Sequence, residues 1–193
     1  MKAKLIKIVG GIVLGLALLV LALPTILHKA GLHPEYDGEA VQLPAGKRAL
    51  IIATNQAVLS APGETTGDAT GVMASEMTHP YNRFLDAGMQ VDIASIKGGR
   101  IPVDPQTLNR VIKSPEDDRF MADPVLLAKV ANSMLVADVD FTQYDVIFMS
   151  WGWGAAYDLG FSLVLAEKVS DAFYAANKPV IGGVCHGLSR IYI

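Results

Sequence analysis

The chain has 193 residues, of which 51% are hydrophobic, and it carries 16 basic and 19 acidic residues. This length suits one domain with an appended segment. Without residues 1–33, which contain four lysines and no acidic residue, 12 basic and 19 acidic residues remain, a net charge of −7. Because nucleic acid binding needs a basic surface, this balance argues against a nucleic acid partner. The single cysteine excludes an intrachain disulfide and any multi-cysteine metal site.

A long uncharged segment lies near the N-terminus. Residues 1–7 are basic, with lysines at positions 2, 4 and 7, and residues 8–27, "IVGGIVLGLALLVLALPTIL", contain no charge. A run of this length predicts a transmembrane signal-anchor helix. The flanking lysines favour a cytoplasmic N-terminus, which places the following domain on the periplasmic or extracellular side. A cleaved signal peptide is the alternative, although the residues that follow contain no convincing small-x-small cleavage site.

The rest of the chain alternates between short apolar runs and amphipathic segments. A polar linker at 28–47 precedes a predicted domain at 48–193. Strands are predicted at 48–54, 89–95, 144–150 and 178–184, and helices at 71–88, 123–138 and 162–177. We expect Pro80 to kink or interrupt the first of these helices and Asp123 to cap the second. Segment 55–70, which contains Gly, Pro, Ser and Thr, and segment 151–160, which contains glycines and aromatic residues, are interpreted as loops.

This alternation predicts the fold class. It is an α/β fold with a parallel sheet covered by helices on both faces, a three-layer sandwich of the flavodoxin-like or class I amidotransferase-like type. One transmembrane helix precedes it. In such sheets ligands bind beyond the carboxyl ends of the strands. We therefore expect Cys185, the loop at 151–154 and the loop after residue 54 to share one edge.

The only cysteine lies in a glycine-flanked turn. Residues 183–187 read G-V-C-H-G, the nucleophile-elbow pattern with cysteine in place of serine. A thiolate at Cys185 would be stabilised by the helix N-terminus, and the N–H of His186 could bind an oxyanion. The alternative is a buried structural cysteine between packing glycines. His186 is either the general base for Cys185 or an ordinary polar residue.

The loop "SWGWGAAYDLG" at 150–160 follows the third predicted strand. Its glycines Gly152 and Gly154 allow the backbone to approach a ligand closely. The alternative is a tight turn with both tryptophans in the core. By themselves Glu76 and His79 are ordinary helix residues.

Three segments in this order carry a resemblance: "TGVMASEMTHPYNRFLDAGMQVDIASIKGG" (70–99), "YDVIFMSWGWGAAYDL" (144–159) and "KPVIGGVCHG" (178–187). Together they resemble the ThiJ/PfpI superfamily, which is related to class I glutamine amidotransferases, and within it the glyoxalase III and stress-chaperone branch. The similarity covers most of residues 48–190. The combination of T-G-x-x-x-x-E-x-x-H-P-Y with the V-C-H-G elbow is specific.

The resemblance implies a role for each matching residue. Cys185 corresponds to the nucleophile, and Glu76 to the glutamate whose protonated carboxyl hydrogen-bonds the thiolate. His186 corresponds to the histidine that partners the cysteine. Gly152 corresponds to an oxyanion-hole glycine, with Trp153 beside it in the substrate pocket. No metal and no organic cofactor is implied.

The implied activity is that of a D-lactate dehydratase (glyoxalase III-like), which converts methylglyoxal to D-lactate without glutathione, or of a related deglycase. Two departures stand against it. The family loop P-G-G-H-G is S-W-G-W-G here, at 150–154, and the chain stops at Ile193, before the family's acidic third catalytic residue. We therefore expect a domain incomplete at its C-terminus.

Two other functions stay open at this point. One is a non-enzymatic stress holdase or redox sensor on the same fold, and the weaker one is a glutamine amidotransferase-like hydrolase. A glutaminase needs a His and a Glu well after the elbow, and the sequence ends before them. A homodimer is also left open.

Overall fold

The computed structural model describes residues 2–32 and 38–182. Cys185 and His186 lie outside these ranges. The helices are α1 (Lys2–Lys29), α2 (Ala74–Asp86), α3 (Pro115–Ala122), α4 (Pro124–Ala131), α5 (Ala155–Asp158) and α6 (Leu163–Ser170). The strands are β1 (Arg48–Ala53), β2 (Val58–Ser60), β3 (Gly67–Ala69), β4 (Gln90–Ser95), β5 (Met134–Leu135), β6 (Val146–Met149) and β7 (Val180–Gly182).

The described residues form two compact units. The first contains α1 and residues 109–112, and the second contains the sheet and the other helices. Within α1, the segment Ile6–Lys29 is long and apolar enough to cross a membrane by its length and composition. The predicted apolar helix is therefore present. A signal sequence passes the same test, so the membrane span itself stays a prediction.

The main sheet of the second unit has the strand order β5-β4-β1-β6-β7, and every neighbouring pair is parallel. The predicted parallel α/β fold is thus confirmed. Alternate residues of the central strand β1 enter two different cores, because successive side chains point to opposite faces. Ala49 and Ile51 pack with residues of α2 and α4, whereas Leu50 and Ile52 pack with residues of α5 and α6. Helices therefore cover both faces, which gives three layers.

Three segments differ from their predictions, 55–70, 123–138 and 151–160, and one helix was missed. Segment 55–70 is not all loop, because β2 and β3 pair antiparallel within it. The predicted helix at 123–138 ends at Ala131 and is followed by the edge strand β5 and a 3₁₀ turn over Val136–Asp138. Helix α3 was not predicted. It begins with a capping box, in which Ser114 and Asp117 bond each other's backbone N–H.

Helix ends follow local capping chemistry. Asp123 caps α4 as predicted, with its side chain accepting from Val125 and Leu126. The predicted helix at 162–177 is α6, capped by Ser162, followed by a single π turn over Asp171–Ala175. Segment 151–160 also contains the short helix α5 and a 3₁₀ turn.

Candidate active site at the carboxyl edge of the sheet

Two of the predicted loops meet where their strands end. The loop after β1 and the loop at 150–154 after β6 lie side by side, as expected for neighbouring parallel strands. A Cβ on Gly154 would lie only 2.7 Å from the Gln56 carbonyl oxygen and 3.0 Å from Thr54. The prediction that these loops share one edge is confirmed. The place of Cys185 at that edge lies outside the described residues.

Glu76 lies on the first turn of α2 and faces the loop at 150–154. Its Oε2 accepts a hydrogen bond of 3.0 Å from the backbone N–H of Trp151. Burial raises the pKa of the Glu76 carboxyl, and the hydrogen bond from Trp151 partly opposes this shift. The carboxyl is therefore held closer to its neutral form than that of a solvated glutamate.

Pro80 explains a second contact at this point. Helix α2 runs through Pro80 without interruption, but a proline has no N–H to give to the carbonyl four residues earlier, which belongs to Glu76. The buried hydroxyl of Ser150 donates to that carbonyl instead, at 3.1 Å. The helix is thus joined to the loop through both the backbone and the side chain of Glu76. Sequence reasoning missed Ser150, although the proline four residues after the glutamate was a signal for an orphaned carbonyl.

Gly152 is packed tightly against the start of α2. A Cβ at this position would lie 2.4 Å from the Met73 nitrogen and 2.5 Å from the Gly71 carbonyl oxygen. The backbone N–H of Met73 in turn donates to the Trp151 carbonyl at 2.9 Å. Neither Gly152 nor Trp153 uses its own backbone N–H to bond any residue that the structure describes.

The two tryptophans of this loop differ in environment. Trp151 packs against the core on the α6 side, and its indole nitrogen would lie 3.4 Å from a Cβ built on Gly182, the last residue of β7. Trp153 is 57% exposed. The interpretation that placed both tryptophans in the core therefore holds for Trp151 alone. The contact also places the loop beside the strand that leads into residues 183–187.

A half-buried carboxyl on the other side of the loop was not predicted. Asp158 accepts a hydrogen bond of 2.8 Å from the Asn55 backbone N–H, and burial raises its pKa. The Asn55 side chain accepts from the Lys97 N–H at 2.6 Å and donates to the Gly98 carbonyl at 3.1 Å. These bonds fasten the loop after β1 to the turn after β4. No pattern in the sequence pointed to this pairing.

The fold and this edge define a class of protein, an α/β protein whose ligand site lies beyond the carboxyl ends of parallel strands. Comparison with known proteins goes further. No family model matches the chain. The chain is 28% identical over 123 residues to the glutathione-independent glyoxalase HSP31 of Saccharomyces cerevisiae, covering 63% of this chain and 51% of that protein. It is 30% identical over 143 residues to the yeast probable glutathione-independent glyoxalase SNO4, covering 73% and 58%.

Solved structures agree with these relatives. The Rapid Encystment Protein 24 KDa of Francisella tularensis is 35% identical with a TM-score of 0.64, over 72% of this chain and 59% of that one. Glyoxalase III of Candida albicans is 25% identical with a TM-score of 0.60, over 73% and 57%. These matches confirm the resemblance to the glyoxalase III branch that the sequence motifs indicated. The chain spans little more than half the length of the relatives that it matches.

Proposed function

We propose that this chain acts as a cysteine-dependent enzyme on small reactive carbonyls, with glyoxalase III-like conversion of methylglyoxal to D-lactate as the reaction. One observation carries the proposal: the half-buried carboxyl of Glu76, whose pKa is raised, accepts a hydrogen bond from the loop that contacts the end of β7. Three residues beyond that strand comes Cys185, the only thiol. The relatives named as glutathione-independent glyoxalases support the choice of substrate.

The proposed chemistry starts from the thiolate of Cys185. It attacks the aldehyde carbon of methylglyoxal, and the carbonyl oxygen takes a proton to give a hemithioacetal. One proton then leaves the former aldehyde carbon and another is delivered to the neighbouring carbon, while the hydroxyl proton of the hemithioacetal passes to the former ketone oxygen, which gives the thioester. Water hydrolyses the thioester to lactate and restores the thiol. We assign the proton transfers to His186 and the hydrogen bond to the sulfur to Glu76.

The N–H groups of Gly152 and Trp153 are the proposed oxyanion donors. Donors aimed at a developing negative charge lower the barrier, and removing one such donor costs about 10²- to 10³-fold in rate. A related deglycase would use the same nucleophile on a larger carbonyl adduct.

The test uses the single thiol as its own reporter. We would follow iodoacetamide alkylation of Cys185 against pH in the full chain and in Glu76→Gln, and assay D-lactate from methylglyoxal in both and in Cys185→Ala. We expect a thiol pKa below the ordinary value of ~8.5, moved by Glu76→Gln, and D-lactate formation that Cys185→Ala abolishes. A thiol with an ordinary pKa that Glu76→Gln leaves unmoved would contradict the proposed site.

A stress holdase is the second candidate, because the α6 region exposes large apolar side chains. Phe161 and Leu163 are 78% and 79% exposed, and Phe173 and Tyr174 are 50% and 66% exposed. Exposed apolar surface of this kind favours binding of unfolded clients. Suppressed aggregation of a heated client protein that persists in Cys185→Ala and is lost in Leu163→Asp would support this function. An aggregation curve unchanged by the full chain would exclude it.

A further inference from the structure

The segment that carries the proposed oxyanion donors, residues 152–157, is closed by its own hydrogen bonds. We call it the donor segment. The backbone carbonyls of residues 152–154 each accept from the N–H three positions later, in α5, at 3.0, 3.3 and 3.0 Å. Loop and helix therefore form one hydrogen-bonded turn. The positions of the Gly152 and Trp153 N–H groups depend on what holds that turn in place.

Asp158, the last residue of α5, holds the donor segment to the neighbouring strand. Its Oδ2 accepts a hydrogen bond of 2.8 Å from the backbone N–H of Asn55, two residues after β1. The Asn55 side-chain amide donates to the carbonyls of Gly98 and Arg100, at 3.1 and 3.2 Å. The Asp158 carboxyl therefore joins α5 to a loop that is itself fixed to the turn after β4.

The donor segment rests on the residues that flank Asn55. A Cβ on Gly154 would lie 2.7 Å from the Gln56 carbonyl oxygen and 3.0 Å from the Thr54 side chain. So close an approach of two backbones requires a glycine. The bond between Asn55 and Asp158 clamps these two surfaces together, and so sets how closely the donor segment approaches the end of β1.

The role of Asp158 in this contact requires an acceptor oxygen rather than a charge. Burial raises the pKa of the Asp158 carboxyl, and the Asn55 N–H and the Thr54 hydroxyl oppose that shift by hydrogen bonding. Either protonation state of the carboxyl can accept the bond from Asn55. Without an acceptor, the part-buried Asn55 N–H would be unpaired, which favours a shift of the loop toward another partner.

We propose that Asp158 is a positioning residue: by accepting from Asn55, it holds the N–H groups of Gly152 and Trp153 where they bind the oxyanion. This inference rests on the proposed function, because these donors serve an oxyanion only if Cys185 attacks a carbonyl. Donors of this kind act only when they are held in place before the charge develops. A small displacement of the donor segment therefore lowers the rate without weakening substrate binding.

The test compares three variants of the full chain in non-ionic detergent. Asp158→Ala removes the acceptor oxygen, and Asp158→Asn keeps one. Asp145→Ala is the matched control, because Asp145 Oδ2 accepts the Arg48 N–H at 2.9 Å, at the opposite end of β1. Circular dichroism of each variant at the assay temperature separates a displaced segment from a lost fold.

Hydrogen exchange followed by mass spectrometry tests the clamp without any turnover. In Asp158→Ala, we expect amide exchange in the peptides spanning 54–57 and 150–160 to be faster by about tenfold or more. Asp158→Asn should stay within about threefold of the parent chain, and Asp145→Ala should leave both peptides unchanged. Unchanged exchange of these peptides in Asp158→Ala would overturn the inference.

Kinetics of D-lactate formation from methylglyoxal test the catalytic consequence. Asp158→Ala should lower kcat by about tenfold or more with KM within about twofold, and Asp158→Asn should recover most of the loss. An equal loss of kcat in Asp145→Ala, or an unchanged kcat in Asp158→Ala, would overturn the inference. A parent chain that forms no D-lactate would instead refute the proposed function, and hydrogen exchange alone would then decide whether Asp158 holds the donor segment.

Discussion

The contact between Ser150 and α2 allows a sharp test, because Pro80 makes it necessary. The Ser150 hydroxyl donates to the Glu76 carbonyl, which Pro80 leaves without its helical donor. Ser150→Ala should therefore leave a largely buried carbonyl unpaired, at a cost of about 1–3 kcal/mol in the free energy of unfolding. In a Pro80→Ala background, the new backbone N–H can donate to the same carbonyl. There the serine substitution should cost less than about 1 kcal/mol.

The four proteins of this cycle can be compared by urea unfolding, with emission of Trp151 and Trp153 as the signal. Both tryptophans lie in the loop that Ser150 begins, so the signal reports on the region under test. We expect a coupling of about 1–2 kcal/mol with unchanged m-values. Equal costs of Ser150→Ala in both backgrounds, within about 0.5 kcal/mol, would refute the assignment of Pro80 as the cause.

Glu76 should also make stability depend on pH. Burial raises the pKa of the Glu76 carboxyl in the folded protein, so folding favours its neutral form. The free energy of unfolding should therefore be highest at low pH and should fall as pH rises through the raised folded-state pKa. Glu76→Gln should remove this fall in the free energy of unfolding. Parallel curves of unfolding free energy against pH for the two proteins would contradict the prediction. Gly152→Ala should lower the free energy of unfolding, measured by thermal unfolding, by about 1–3 kcal/mol, because the new Cβ would lie 2.4 Å from a backbone nitrogen. Gly160→Ala is the control, since a Cβ at that position meets nothing within 4 Å. Asp117→Ala should lower the free energy of unfolding by about 3 kcal/mol, because this fully buried carboxylate accepts hydrogen bonds of 2.7 Å from the Thr78 hydroxyl and from the Ser114 N–H. Asp118→Ala, at an exposed position, should lower it by less than about 0.5 kcal/mol. If α1 is a membrane anchor, the chain should stay in the membrane fraction after alkaline carbonate extraction, and Leu18→Lys should weaken that retention by about 2.5–3.5 kcal/mol of insertion free energy. Release of the unmodified chain into the supernatant would contradict the anchor.

The sequence by itself determined the positions of β1, β4, β6 and β7, the parallel sheet and the cap of α4. Buried strands and N-caps depend on side chains within a few residues of one another, so the sequence pattern is sufficient. It also singled out Glu76 and the loop containing Gly152, through the family resemblance. The predictions of a loop over 55–70 and a helix over 123–138 were wrong in part. Strands β2 and β3 have only three residues each and pair with each other, and β5 has two residues and pairs with β4, about 40 positions earlier in the sequence.

Only the tertiary structure decided which groups meet. The bond between the Trp151 N–H and Glu76, and the hydroxyl of Ser150 on the Glu76 carbonyl, join residues about 75 positions apart. Whether Glu76 is solvated or buried depends on that encounter, and the direction of its pKa shift depends on the burial. Local pattern fixes which segments become helix or strand, but burial and charge at a site are properties of the packed chain.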